Sequence, residues 1–171
     1  MTATSNAYAQ LDQWIDAHFD EQVKFLQELI RVPTDTPPGN NTPHALRAAE
    51  LIEAMGLPVE KHEVPQAAVL AAGLESITNL VARRNYGPGG RTIALNAHGD
   101  VVPPGEGWTH PPYGADIVDG QMYGRATAVS KCDFSTFTFA TRALESLKTP
   151  LKGGVELHFT YDEEFGGEMG P

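Results

Sequence analysis

The run Thr92-Ile-Ala-Leu-Asn-Ala-His98-Gly99-Asp100-Val101-Val102-Pro103 constrains the fold more than any other stretch, because it sets a histidine and a carboxylate where an apolar strand stops. Turn-forming Gly87-Pro-Gly-Gly90 precedes it and Pro103-Pro104 closes it, so it reads as a buried strand. In an open α/β sheet, ligands collect at the carboxyl ends of strands. His98 and Asp100 are two residues apart, so on an extended chain both lean to one side. Asp100 can then accept the proton of one imidazole nitrogen and turn the other nitrogen toward a metal. The plainer alternative is a histidine that only hydrogen-bonds a loop carboxylate.

The surrounding pattern predicts helices and strands in alternation. Leu11, Trp14, Ile15 and Phe19, then Phe25, Leu26, Leu29 and Ile30, recur at helical spacing, with a break near Asp20. A loop rich in Pro, Gly and Asn follows from Val32 to Asn41. Thr42 as N-cap, Pro43 in the first turn and Gly56 past the end frame a second helix, with Leu46, Ala49, Ile52 and Met55 facing inward. Pro58 to Val64 and Ile77 to Arg84 read as strands, and 65–76 as loop or short helix. The proline-bearing stretch 103–122 is long enough to cover a site. Phe134 to Leu147 predicts a third helix, with Phe134, Phe137, Ala140 or Thr141, Leu144 and Leu147 inward. Val155, Leu157, Phe159 and Tyr161 alternate with Glu156, His158, Thr160 and Asp162, the pattern of a half-buried strand that ends at Glu163-Glu164.

A chain of 171 residues with 41% hydrophobic content can build one real core. Its formal charge of −10 argues against nucleic acid or an anionic membrane as partner. The one cysteine, Cys132, excludes an internal disulfide. With no basic start, no apolar leader and no stretch long enough to span a bilayer, the chain reads as a soluble, cytoplasmic protein.

Two strand ends therefore carry the chemistry: His98 with Asp100, and Asp162 with Glu163 and Glu164. Adjacent residues point to different sides, so one glutamate can bind a metal while the other takes a proton from water. A solvated acidic turn is the bland reading of the same trio. Between the ends lies Tyr123-Gly124-Arg125-Ala-Thr-Ala-Val129-Ser130-Lys131, which lacks the glycine spacing and Lys-Ser/Thr ending of a phosphate loop. No Gly-x-Ser-x-Gly elbow supports a serine hydrolase.

Taken in order, His98-Gly-Asp100-Val-Val-Pro103, Trp108, Pro111-Pro112-Tyr113, Asp119-Gly120, Tyr123-Gly124-Arg125, Lys131 and Asp162-Glu163-Glu164-Phe-Gly-Gly167 resemble the M20 metallopeptidases, and Leu29-Ile-Arg-Val-Pro33 fits as well. That family includes acetylornithine deacetylase, succinyl-diaminopimelate desuccinylase, aminoacylase and carboxypeptidase G2. The resemblance implies an α/β fold, a zinc-peptidase-like catalytic domain with a central mixed sheet flanked by helices, here incomplete. Residues 1–171 would be its N-terminal portion, without the lid or dimerisation domain and the C-terminal half.

By the same resemblance, His98 and Glu164 are ligands of Zn2+, one or two ions with Co2+ or Mn2+ as substitutes. Asp100 orients His98, and Glu163 is the general base. The implied substrate is a small N-acyl amino acid or peptide, cleaved at an amide next to a free carboxylate, and the full-length form would be a homodimer. Two departures stand out. The family has a bridging aspartate where this chain has Val129, leaving Asp133 as the nearest carboxylate and Ser130 and Cys132 as other donors. The family's further aspartate and C-terminal histidine ligands find no match before Pro171. The chain alone is accordingly expected to be inactive or nearly so, and a non-catalytic binding domain is the alternative reading.

Overall fold

The computed structural model describes residues 3–147 and 149–170. Two helices open the chain, α1 (Ala3–Ala17) and α2 (Phe19–Ile30), parted at His18. That residue leaves helical geometry and its Nδ1 donates to the Trp14 carbonyl at 2.7 Å. Helix α3 (Thr42–Ala54) begins at Thr42 rather than being capped by it, with Asn41 before it. Its inner face is His44, Ala45, Ala48, Ala49 and Ile52, whereas Leu46, expected inside, is exposed. The misreading is one of phase: the inward stripe passes through the small alanines, which carry less signal than a leucine.

Strand β1 (Val59–Glu63), the short helix α4 (Gln66–Ala71), β2 (Thr78–Gly87) and β3 (Thr92–His98) follow in order. The 103–122 segment is not all loop, since it holds most of a hairpin of β4 (Asp116–Val118) and β5 (Gln121–Tyr123). Helix α5 (Lys131–Glu145) starts three residues before the expected Phe134 and keeps Phe134, Phe139, Thr141 and Ala143 buried, with Ala140 outward. The last strand is β6 (Gly153–Thr160).

The main sheet has the order β1-β2-β6-β3, mixed in direction: β6 runs antiparallel to β2 and parallel to β3. Helices α2, α3 and α5 pack on one face through Phe25, Leu29, Ile52, Phe134 and Phe139 against Leu80, Ala97, Leu157 and Phe159. The opposite face carries charge, with Arg83 between Glu60 and Glu156 and His158 3.0 Å from Glu156. The predicted alternation of β6 holds, because this strand lies inside the sheet with its apolar row on the helices.

Strand β3 departs from expectation. It is one of the two edge strands of this sheet, and Thr92, Ile93, Ala94 and Asn96 are exposed, Ile93 to 59%. An apolar run implies cover on both faces, but among the described residues β3 has one sheet neighbour. No helix among the described residues is long and apolar enough to cross a membrane.

Candidate metal centre

Parallel pairing of β3 with β6 brings the two chemical strand ends together. In register, His98 lies opposite Thr160, so the residues that follow each strand leave the sheet side by side. Beyond β6, Glu163–Phe165 form a single 3-10 turn, closed by Gly166 at φ 117°. One imidazole nitrogen of His98 and one carboxylate oxygen each from Glu163 and Glu164 lie within 4.8 Å of one another. His98 Nε2 is 3.7 Å from Glu163 Oε2. Among the described residues this is the one grouping of three or more such donors.

Asp100 organises both ends. It is fully buried, and its Oδ2 accepts the backbone N–H of Glu164 at 3.0 Å. Its Oδ1 is 3.3 Å from His98 Nδ1, close enough for electrostatic attraction but without the alignment of a hydrogen bond. Nδ1 is instead 3.1 Å from the Asp100 main-chain carbonyl, to which its N–H donates. That tautomer leaves the Nε2 lone pair directed toward the glutamates. The Asp100 carboxylate raises the His98 pKa above its ordinary value, against partial desolvation, which lowers it. Asp162, by contrast, points inward, where burial raises its pKa and the Met169 N–H donates to Oδ2 at 2.5 Å.

The floor under the site is a buried polar layer. The Tyr161 hydroxyl and His44 Nδ1 are hydrogen-bonded at 2.9 Å. Desolvation drives the His44 pKa well below and the Tyr161 pKa well above their ordinary values. Lys131, at the first turn of α5, is also fully buried, and burial lowers its pKa to about 7 despite the nearby carboxylates of Asp35 and Asp100. The Tyr113 hydroxyl donates to Asp35, and together with burial this raises the Tyr113 pKa.

Of the residues singled out from sequence, the structure brings His98, Asp100, Glu163 and Glu164 together. Asp133 is outside that grouping; Ser130 Oγ donates to its carboxylate at 2.8 Å across the first turn of α5. Cys132 Sγ is 3.1 Å from the Ala128 carbonyl, and Val129 is exposed. Sequence reasoning missed Thr34, Asn41 and the buried position of Lys131. A threonine or asparagine in a Pro/Gly-rich loop looks like turn chemistry, and a lysine at a helix start looks like solvated surface.

The chain belongs to peptidase family M20/M25/M40, whose model matches residues 94–171. It is 35% identical over 156 residues to the succinyl-diaminopimelate desuccinylase of Gluconobacter oxydans (strain 621H), a match that covers 88% of this chain and 36% of that protein. The fold is shared with human carnosine dipeptidase 1, at TM-score 0.69 and 24% identity over 94% of this chain and 36% of that one. It is shared as well with the di-peptidase Dug1p of Saccharomyces cerevisiae, at TM-score 0.72 and 16% identity with the same coverage, 94% and 36%. The chain thus spans about a third of the length of the relatives it matches.

Proposed function

We propose that this chain carries part of the active site of a metal-dependent hydrolase that cleaves an amide next to a free carboxylate, in an N-acyl amino acid or a small peptide. The observation that supports this most is the convergence of His98, Glu163 and Glu164 at the end of β3 and β6. One imidazole nitrogen and two carboxylates suit a divalent ion of the zinc, cobalt or manganese kind. His98 and Glu164 are the residues that would hold it. When bound, such an ion supplies Lewis acidity and makes a nearby water easier to deprotonate.

The remaining work falls to side chains. Glu163 is largely exposed and stands beside the ligands, placed to take a proton from water and return it to the leaving amine. Asp100 keeps the His98 tautomer and holds the Glu164 backbone, so that ligand and base stay on fixed sides of the turn. The desuccinylase and di-peptidase relatives favour acylated amino acids and peptides as the substrate class.

A second reading, a binding domain of the same fold without catalysis, is favoured by Val129. Its aliphatic side chain, 63% exposed, offers no donor where a second ion would need a bridging carboxylate. Zinc measured by elemental mass spectrometry after dialysis separates the assignments. The unaltered chain and Glu163→Gln are expected to retain zinc, while His98→Ala and Glu164→Ala lose it. Retention by His98→Ala would sink the metal-centre reading, and no zinc in the unaltered chain would favour the binding domain.

A further inference from the structure

The loop between α2 and α3 contains more buried polar structure than a connection needs. Thr34, Thr36 and Asn41 are all at most 2% exposed. Thr34 Oγ1 donates to the Gly99 carbonyl at 2.6 Å, and the Val101 N–H donates to the Thr34 carbonyl at 3.1 Å. The Thr36 N–H donates back to the Val101 carbonyl at 2.8 Å, so Asp35 pairs with Val101 like a short parallel strand laid past the end of β3. Asn41 Nδ2 reaches the other strand end, donating to the Tyr161 carbonyl at 3.0 Å and to Thr36 Oγ1 at 3.1 Å. One segment, 32–41, thus grips the main chain next to His98 and the main chain next to Glu163.

Its near end is fastened by Lys131. The buried ammonium donates to the Val32 carbonyl at 2.8 Å and reaches the Leu29 carbonyl at 3.5 Å, both on the end of α2 and the start of the segment. Burying an ammonium costs several kcal/mol unless hydrogen bonds and opposite charge offset it. An apolar side chain of equal length would fill the space without that cost. What it could not do is hold two main-chain carbonyls in place.

We propose that residues 32–41 form a strap that sets the spacing of the two donor-bearing strand ends, with Lys131 as the positioning residue that locks it. The proposal rests on the metal-centre reading, since what the strap sets is the approach of His98 to Glu163 and Glu164. Lys131 donates to main-chain carbonyls and acts through Val32, Thr34 and Gly99.

The test is Zn2+ affinity, read by competition with a chromophoric chelator on the unaltered chain, Lys131→Met, Thr34→Val and Leu57→Ala, well below each unfolding temperature. Leu57 is buried in the helix-sheet core, so Leu57→Ala serves as a destabilised control. Loss of a group that supports metal ligands typically weakens affinity about 10- to 100-fold. Lys131→Met is expected at about the lower end of that range and Thr34→Val at about threefold, with Leu57→Ala unchanged despite a lower Tm. Thr34→Val keeps shape and volume, and decides the matter if Lys131→Met does not fold. Unaltered affinity in whichever of these two variants folds overturns the strap. A matching loss in Leu57→Ala overturns it too, because general loosening would then suffice. No Zn2+ binding by the unaltered chain overturns the metal-centre reading and this inference with it.

Discussion

The two strand ends that form the candidate metal centre are built in opposite ways. The end of β3 is closely packed: Asp100 is fully buried, Thr34 and Thr36 bond its main chain, and the Tyr161 and Phe134 rings lie under Gly99. The end of β6 runs into a single exposed 3-10 turn, tied to the rest by the Glu164 N–H on Asp100 and, just before the turn, by Asn41 on the Tyr161 carbonyl. The contrast teaches a division of labour. On the proposed reading, the imidazole ligand His98, which must hold a fixed direction, stands on the packed end, and the two glutamates, ligand Glu164 and base Glu163, stand on the open one.

Substitutions can break or sharpen that contrast. The largest effect is expected at Gly99→Ala, where a Cβ would lie 2.5 Å from Tyr161 Cε1 and 3.1 Å from Phe134 Cζ. Overpacking of this kind costs about 3 kcal/mol, to be read from urea unfolding. Asp100→Ala removes the acceptor of the Glu164 N–H and the charge beside His98, and is expected to cost about 2 kcal/mol in the same assay. An unchanged midpoint for either would erase the distinction between the ends.

His44 gives a pH-dependent version of the same test. Desolvation keeps its imidazole neutral in the fold, while the unfolded chain takes up a proton below its ordinary pKa of 6.5. The stabilising contribution is therefore present above that pH and lost as the pH falls, by roughly 1 kcal/mol between pH 6.5 and 5.5. His98, whose pKa is raised, works with the opposite sign, so the measurement is the slope of the unaltered chain minus that of His44→Gln. At the open end, Gly166 has φ 117° with nothing within 4 Å of an added Cβ, so Gly166→Ala meets conformational strain alone, about 1 kcal/mol. Glu163→Gln should be smallest, within about 0.5 kcal/mol, and a larger loss would mean that the open end is packed after all.

Much of this was legible in the sequence, for physical reasons that differ by element. The β6 alternation could be read because a central strand with one helix-covered face must show it. The donor residues could be found because His98-x-Asp100 and the glutamate pair sit at strand ends, where side chains leave the sheet. The exposure of β3 was not legible: an apolar run reports what a strand can tolerate, not which neighbours it has. Nor was the strap, since Thr34 and Asn41 act through main-chain partners that sit 65 and 120 residues away. No local pattern records pairings of that span.

The parallel register of β3 with β6 has one more consequence, for fidelity. Because side chains alternate faces along a strand, a slip of one residue would turn His98 to the other side of the sheet, away from the glutamates. A bound cation would reward the native register and no neighbouring one, adding RT ln(1 + [M]/Kd) to its stability alone. The site would then act as a proofreader of the sheet that creates it, with an ion adding to the selection that Leu95 and Ala97, packed on the helices, already make.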